Sequence, residues 1–134
     1  RLSPPVPILG REALRAATLD EREVPEGALV LVAPWLLHRN PKLWDRPDDF
    51  VPERFLPGEP RPGKYQYVPF AIGPRICPGL TFGLVEATVC LAILARAYDP
   101  ALAPGVAVRP VCRLTLRPGK RLPMVIRPRD AAAG

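Results

Sequence analysis

This sequence has almost no histidine and no closely spaced pair of cysteines. It holds one histidine, His38, and three cysteines, Cys77, Cys90 and Cys112, none of them in a C-x-x-C pair. The ligand spacing of a structural zinc site is therefore excluded, and an odd number of separated cysteines argues against a disulfide scaffold. Free cysteines are typical of a reducing compartment, so we expect a cytoplasmic location. Without a second histidine, His38 is expected to be structural or to support a helix cap.

Acidic residues are also in the minority, with 13 against 19 basic residues and a net charge of +6. The basic residues are scattered without aromatic interleaving, so we expect no nucleic-acid binding, whereas an acidic protein partner is compatible. The sequence opens without the charged and apolar regions of a signal peptide, although a membrane anchor preceding residue 1 would be compatible with it. A hydrophobic content of 48% argues for folding despite 20 prolines, and 134 residues make one domain at most.

The strongest chemical pattern lies between residues 69 and 80, in the stretch PFAIGPRICPGL. It places Cys77 before a long apolar segment that is predicted to be a helix. The N–H groups and dipole of a helix N-terminus stabilise a thiolate, and Pro78 suits a first helical turn. Gly73 and Gly79 are interpreted as adopting backbone conformations closed to other residues and as admitting a bulky ring. The alternative is a small buried cysteine that binds nothing.

The spacing Phe70-x-x-Gly73-x-Arg75-x-Cys77-x-Gly79 resembles the haem-binding loop of the cytochrome P450 family, the haem-thiolate monooxygenases. The resemblance implies haem b as the cofactor and Cys77 as the axial iron ligand, whose thiolate favours O–O cleavage. It also implies that Phe70 keeps water off the sulfur and that the backbone around Gly79 tunes it. Arg75 would pair with a haem propionate.

A second segment of the same family is matched by residues 48–55, with the sequence DDFVPERF. Phe50 and Phe55 are expected to anchor an otherwise irregular coil. The opening residues resemble the end of the family's Glu-x-x-Arg helix and the Pro-Pro turn that follows it. The resemblance implies that the glutamate precedes Arg1 and that Arg54 belongs to the same ionic cluster. Arg1 and Arg54 would then face each other as like charges in this chain.

Further assignments follow from the resemblance alone. Residues 6–10 would line part of the substrate pocket, and Arg11 would reach a haem propionate, with a solvated surface arginine as the alternative. The segment HRNP resembles the His-Arg-Asp-Pro segment of the family, and Asn40 is expected to cap the next turn as aspartate would. The basic connector over residues 57–67 would lie near the face where an electron donor docks, or else form a solvated loop.

Apolar runs and turn residues predict the secondary structure. We expect one strand over residues 18–24, a turn at Pro25–Gly27 and a partner strand over residues 28–33. The long helix, Leu80–Ala97, is apolar nearly all round and is expected to be buried on most faces. Glu86 near its middle favours a core helix, so no membrane-spanning segment is expected in this chain.

The tail alternates polar and apolar residues, which predicts a β-hairpin with strands at 111–116 and 123–126 around a turn at 118–120. Leu114 is expected either to touch the substrate pocket or to pack in the core, and residues 130–134 are expected to fray.

The predicted fold class is mainly α with small β-sheets (α+β). By resemblance, residues 1–134 form the C-terminal part of a single cytochrome P450 domain. The four segments would be 1–35 (substrate-side segment and strands), 36–68 (short helix and meander), 69–97 (haem loop and helix) and 98–134 (β-hairpin tail).

The resemblance implies a monooxygenase that inserts one oxygen atom from O₂ into a small organic substrate. Electrons would come from NAD(P)H through a ferredoxin or a flavoprotein reductase on the proximal face. The sequence holds no residues of the distal, oxygen-activating helix, so no catalytic residue is assigned beyond the haem ligand, and the chain alone is expected to be inactive. Two alternatives stay open. One is an enzyme of the same fold that uses peroxide or rearranges hydroperoxides, and the other is a non-catalytic basic module, rich in arginine and proline, that no longer holds haem.

Overall fold

The computed structural model describes residues 1–129, which form two compact units. The first unit comprises Arg1–Pro69 and Cys112–Leu116, and the second comprises Phe70–Val111 and the residues from Arg117 onward. The helices and strands, in chain order, are β1 (Leu9–Glu12), β2 (Ala17–Leu19), β3 (Arg22–Val24), β4 (Leu29–Val32), α1 (Pro34–Leu37), α2 (Leu80–Ala97), β5 (Tyr98–Leu102), β6 (Val111–Cys112), β7 (Leu116–Arg117) and β8 (Met124–Pro128). Two 3₁₀ turns lie at Pro52–Phe55 and Gly73–Arg75.

The strands of the first unit pair differently from the prediction. The single strand expected over residues 18–24 is wrong, because it is two strands, β2 and β3, that form an antiparallel hairpin. Asp20 and Glu21 make the turn between them with φ of 47° and 62°. Two successive left-handed residues match the right-handed twist of a hairpin, which is why the chain reverses there.

The apolar run near residue 30 does form a strand, but its partner lies earlier in the chain. β4 pairs antiparallel with β1, with Leu31 opposite Gly10. The predicted turn at Pro25–Gly27 is confirmed, since Ala28 N–H donates to the carbonyl of Pro25 at 3.1 Å and Gly27 has a φ of 78°. The turn therefore joins the small hairpin to β4 and does not join two strands of one sheet.

The core of the first unit is small and largely aromatic. His38 is fully buried, and Trp44 and Val68 are 4% and 6% exposed. The ring of Tyr67 lies 5.1 Å from the rings of both His38 and Phe55 and edge-on to Trp44 at 6.3 Å. These contacts confirm the structural role predicted for His38 and the anchoring role predicted for Phe55.

Phe50 does not share that anchoring role, because its side chain is 83% exposed. The expectation that both meander phenylalanines anchor the coil is therefore wrong for Phe50. Asn40 behaves as expected, since its Oδ1 accepts a hydrogen bond from the N–H of Lys42 at 2.9 Å. The turn that follows is closed by Leu43 and Trp44 N–H groups, both donating to the carbonyl of Asn40.

The bounds predicted for the long helix, Leu80–Ala97, are confirmed. Tyr98 ends the helix by adopting an extended conformation, with φ −138° and ψ 157°. The predicted burial is wrong, because no residue of α2 is buried and most are exposed. Within residues 1–129 α2 is the only helix longer than four residues, so no other long helix is present to cover its apolar faces. By length and composition alone, α2 could also cross a membrane.

The tail strand β8 finds a partner that the pattern did not predict. It pairs antiparallel with β5, with Met124 opposite Leu102 and Pro128 opposite Tyr98, so the predicted hairpin with residues 111–116 is wrong. Those residues instead contribute β6 and β7, two-residue strands that pair with each other. Leu114 is 88% exposed, which contradicts core packing. The residues predicted to fray, 130–134, lie outside the described residues.

Candidate metal centre

The cysteine loop runs from Phe70 to Gly79 and is closed by backbone hydrogen bonds. After Pro69 the chain enters the 3₁₀ turn at Gly73–Arg75, where the N–H of Ile76 donates to the carbonyl of Gly73 at 3.0 Å. The N–H of Cys77 donates back to the carbonyl of Phe70 at 2.9 Å. This bond brings the two ends of the loop together and fixes the backbone from which the Cys77 sulfur projects.

Two residues of the loop adopt left-handed backbone conformations, and only one of them is glycine. Gly73 has a φ of 78° and a Cβ placed there would meet nothing within 4 Å, so conformation alone requires the glycine. Ala71 has a φ of 61°, a conformation that costs an L-residue about 1–2 kcal/mol. The loop therefore holds strain at Ala71.

Gly79 has a different role from the one predicted. Its φ of −84° is open to any residue, so the expectation of a special backbone conformation is wrong here. A Cβ at Gly79 would instead lie 3.8 Å from the Sγ of Cys77. The absence of a side chain leaves that side of the sulfur open, which is what a bulky planar ligand on the sulfur requires.

The helix begins at Leu80 as predicted, so the expected place of Pro78 in its first turn is wrong. Gly79 is the N-cap of α2 and makes no side-chain cap, so Pro78 precedes the helix and does not occupy its first turn. The carbonyl of Cys77 accepts the N–H of Leu80 at 3.3 Å. Cys77 thus lies three residues before α2, with the uncapped N–H groups of the first helical turn beyond it.

Cys77 is exposed and offers one thiol to a ligand. Among the residues that the structure describes, no cluster of three histidine, cysteine or acidic side chains could hold a metal ion. A metal at Cys77 would therefore have a single protein ligand here and would need its other ligands from a cofactor. An exposed thiolate beside a glycine fits an iron already held in a planar ring.

Phe70 packs at the head of the helix. Its Cε1 lies 4.0 Å from the position that a Cβ of Gly83 would take, so Gly83 gives the ring room against the first turns of α2. This contact joins the start of the loop to the helix that follows it. The shielding of the sulfur by Phe70 stays a prediction.

The two arginines predicted to hold propionates lie in different units. Arg75 ends the 3₁₀ turn of the loop and is exposed. Arg11 lies on β1 and is exposed, and its Nη1 donates to the carbonyl of Gly10 at 2.7 Å. Both guanidinium groups are accessible to an anion, and their roles toward a propionate stay predictions.

Arg1 lies in a ring of backbone carbonyls that the sequence did not reveal. Its guanidinium donates to the carbonyls of His38, Pro47 and Asp49 at 2.5 to 2.8 Å and lies 5.0 Å from the ring of Trp44. Carbonyl acceptors leave no trace in a side-chain pattern, because every residue carries one. Arg1 therefore ties the start of the chain to the meander.

The like charges expected at Arg1 and Arg54 do lie close enough to interact. Burial, and after it the charges of Arg54 and Arg39, lowers the pKa of Arg1. The Nε of Arg54 and one Nη of Arg39 are buried without a hydrogen-bond partner among the described residues. A cavity of about 600 Å³ adjoins this cluster and is lined by Arg1, Leu2, Ser3, Asp49, Phe50, Val51, Pro52, Phe55 and Tyr67.

Comparison with known proteins covers almost the whole chain. A model of the cytochrome P450 family matches residues 1–123. Cytochrome P450 714A2 of Arabidopsis thaliana is 38% identical over 88% of this chain and 23% of the relative, and cyclooctatin synthase of Streptomyces melanosporofaciens is 38% identical over 96% of this chain and 28% of the relative. The solved structure of a retinoic acid-bound cyanobacterial CYP120A1 is similar with a TM-score of 0.85 and 30% identity, over 95% of this chain and 30% of that chain. The haem domain of cytochrome P450DA gives 0.87 with 25% identity, over 97% and 29%.

Proposed function

This chain belongs to the cytochrome P450 family, and we propose that it supplies the thiolate iron ligand of a haem-thiolate monooxygenase. The match confirms the family resemblance and the fold class, a C-terminal portion of the P450 fold. The chain spans about a quarter of the length of the curated relatives that it matches. The activity of the whole protein is therefore the proposal, with this chain contributing the iron ligand.

The geometry of the cysteine loop carries the proposal. The hydrogen bond from Cys77 N–H to the carbonyl of Phe70 closes the loop at 2.9 Å, and Gly79 leaves the space beside the sulfur open. The exposed thiol of Cys77 is suited to ligation because its backbone is already held in place. Little conformational entropy of the loop is then lost when iron binds. A buried, merely structural cysteine would lack both features.

The residues of this chain then have distinct tasks. Haem b, when bound, supplies the redox chemistry by which one oxygen atom of O₂ enters an organic substrate. Cys77 donates the thiolate, and backbone N–H groups near Gly79 temper its charge. Arg75 and Arg11, which are exposed and always charged, pair with the propionates.

Electrons would reach the site from NAD(P)H through an acidic redox partner, either a ferredoxin or a flavoprotein reductase. Exposed basic side chains on the connector between the meander and the cysteine loop support this docking face. Arg61 and Lys64 are both exposed, and the Nζ of Lys64 lies 5.2 Å from the ring of Tyr65. Opposite charges on two docking faces raise the rate of encounter at low ionic strength.

We also propose a cytoplasmic catalytic domain in which α2 is a core helix. The support comes from the cysteine loop at the head of α2 and from the family match that runs through it. Glu86, near the middle of the helix, is costly to place in lipid. The apolar faces of α2 would be covered by the parts of the fold that the relatives carry and this chain does not span.

The reduced, CO-treated absorption spectrum after haem reconstitution tests the proposal. We expect a far red-shifted Soret band that Cys77→Ala abolishes. Cys90→Ala is the matched control, because Cys90 is also an exposed free thiol but lies on α2. An equal band in Cys77→Ala, or its loss in Cys90→Ala, would contradict ligation by Cys77.

The isolated chain could take up little haem for two reasons: its fold is incomplete, or its cysteine loop does not bind haem. A chimera distinguishes them. In this chimera the present chain replaces the matching segment of cyclooctatin synthase, so that a complete fold surrounds the loop. The red-shifted band should appear in the chimera, and Cys77→Ala should remove it there. No haem uptake by a folded chimera would favour the non-catalytic alternative.

A further inference from the structure

His38 accepts a hydrogen bond from the chain that leads into the cysteine loop. Its Nε2 lies 3.0 Å from the backbone nitrogen of Val68, and both residues are buried. The Nδ1 of His38 is buried without a hydrogen-bond partner among the described residues. Because the N–H of Val68 is a donor, Nε2 must carry a lone pair, so the neutral imidazole has its proton on Nδ1.

Pro69 alone separates Val68 from Phe70, the first residue of the loop. Val68 is followed by Pro69, whose ring restricts φ, and then by Phe70. The carbonyl of Phe70 accepts the N–H of Cys77 at 2.9 Å. A short, restricted path of backbone therefore runs from the imidazole of His38 to the backbone of Cys77.

The surroundings of His38 favour the neutral ring. A guanidinium nitrogen of Arg1 donates to the carbonyl of His38 at 2.6 Å. Arg39, the residue after His38, forms a salt bridge with Asp48 at 3.2 Å. The phenol ring of Tyr67 packs against the imidazole, and burial raises the pKa of Tyr67, so this phenol brings no charge at neutral pH. Burial lowers the pKa of His38. An interaction with the backbone of Arg1 raises the pKa in part, and the charges of the Arg1 amino group, the Arg1 side chain and Arg39 lower it.

We propose that His38 is a positioning residue for the cysteine loop: its neutral imidazole holds the N–H of Val68 and so fixes where the chain enters the loop that presents Cys77. Protonation turns Nε2 into a donor that faces another donor, so the anchor is lost in acid. The anchoring itself needs no haem. Its consequence for iron ligation rests on the proposed function.

Amide hydrogen exchange of the 134-residue chain between pH 5 and 8 tests the proposal without haem. The readout is the protection of the Val68 and Cys77 amides relative to their intrinsic exchange rates, with amides paired between β1 and β4 as the reference. His38→Leu should lower protection at Val68 roughly tenfold or more at pH 7.5, because a buried donor loses its acceptor. His38→Gln is the matched variant, since its side-chain oxygen can accept the bond but cannot titrate.

The pH profile distinguishes positioning from a general loss of stability. The unmodified chain should lose protection at Val68 and Cys77 as the pH falls from 7 toward 5, whereas His38→Gln should retain it. An acid transition that persists in His38→Gln would overturn the proposal, as would His38→Leu with unchanged protection at Val68. If His38→Leu does not fold, the comparison of the unmodified chain with His38→Gln still decides.

A spectroscopic arm separates this proposal from the proposed function. In the chimera with cyclooctatin synthase, His38→Leu should shift a larger fraction of the CO complex away from the far red-shifted band, and His38→Gln should restore it. If hydrogen exchange changes as expected but no red-shifted band appears, the anchor between His38 and Val68 stands and only haem ligation by Cys77 is overturned. A red-shifted band that is indifferent to His38→Leu would overturn the link from the anchor to the thiolate.

Discussion

Single residues decide how the cysteine loop is held. Gly73 and Ala71 both adopt left-handed conformations, and only the glycine does so without steric cost. Gly79 adopts an ordinary conformation, and a Cβ there would lie in ordinary contact with the sulfur of Cys77 at 3.8 Å. A motif written as letters does not distinguish a glycine that the backbone conformation requires, such as Gly73, from one whose conformation any residue could adopt, such as Gly79.

Ala71→Gly should stabilise the loop by about 1 kcal/mol, because glycine removes the steric cost at a φ of 61°. Part of this effect is offset because glycine also raises the conformational entropy of the unfolded chain. Amide exchange at Cys77 measures the change, since that N–H closes the loop. Ala71→Val is the control and should weaken protection, because a β-branched residue tolerates this conformation less well. Protection that falls in Ala71→Gly would contradict the prediction.

The stability of the first unit should fall in mild acid because of His38. Burial holds the folded-state pKa of His38 below its ordinary value of 6.5, so the unfolded chain binds the proton more readily. The contribution is fully present above pH 6.5 and is lost as the pH falls below that value toward the folded-state pKa. Urea unfolding followed by the fluorescence of Trp44 and Trp35 at several pH values measures it.

His38→Gln is the control for that titration. It removes the ionisable ring. The carboxylates contribute equally to both proteins, so the free energy of unfolding should change less between pH 7.5 and 5.5 in His38→Gln than in the unmodified chain. An identical pH dependence in both proteins would show that other groups control acid stability.

At the scale of elements, the short hairpin of β2 and β3 depends on its turn. Glu21 has a φ of 62°, and Glu21→Gly should raise the free energy of unfolding by roughly 0.5–1 kcal/mol, because the turn conformation suits glycine. Glu23→Gly removes the same charge from within β3, opposite Thr18, and should lower stability by about as much. Urea unfolding of both variants measures the contrast, and equal effects would mean that charge rather than conformation matters.

Strand pairing is the element-level feature that sequence patterns predicted least well. β4 and β8 were both recognisable as strands, but each pairs with a segment other than the predicted one, β1 and β5 respectively. Alternation reports which residues suit a pleated surface, whereas the choice of partner depends on where the chain folds back. The helix α2 was predictable to the residue because its signal is local and long.

At the scale of the whole molecule, the exposed helix α2 has consequences in solution. Among the described residues α2 packs against β5, the strand that follows it, and against Phe70 at its head, but Phe82, Leu91 and Ile93 are still 73%, 68% and 61% exposed. Apolar surface of this kind favours association. We expect the isolated chain to bind a hydrophobic dye and to self-associate at micromolar concentration.

The chimera with cyclooctatin synthase is the comparison for that behaviour. Once the rest of the fold covers α2, dye binding per chain should fall severalfold and the protein should elute as a monomer. A monomeric isolated chain that binds no dye would show that α2 is covered in some other way. If the isolated chain becomes monomeric and stops binding dye only when detergent is added, the result would instead favour a membrane location for α2.

Local order in the sequence was enough to predict the family and the bounds of α2, and it singled out Cys77 as the proposed iron ligand. These predictions rest on a fixed spacing around Cys77 and on one long, mostly apolar segment from Leu80 to Ala97, whose only charges are Glu86 and Arg96. Spacing along a chain limits which side chains can meet, and a long apolar segment without a helix breaker outweighs competing local preferences.

The folded chain was needed to show which strands pair, which aromatic residues anchor the meander and how the loop is held. The ring of carbonyls around Arg1 and the bond from Val68 to His38 both join residues at least 30 positions apart. Such contacts depend on where distant backbone groups come to lie. Because every residue carries the same backbone donor and acceptor, no side-chain pattern records them.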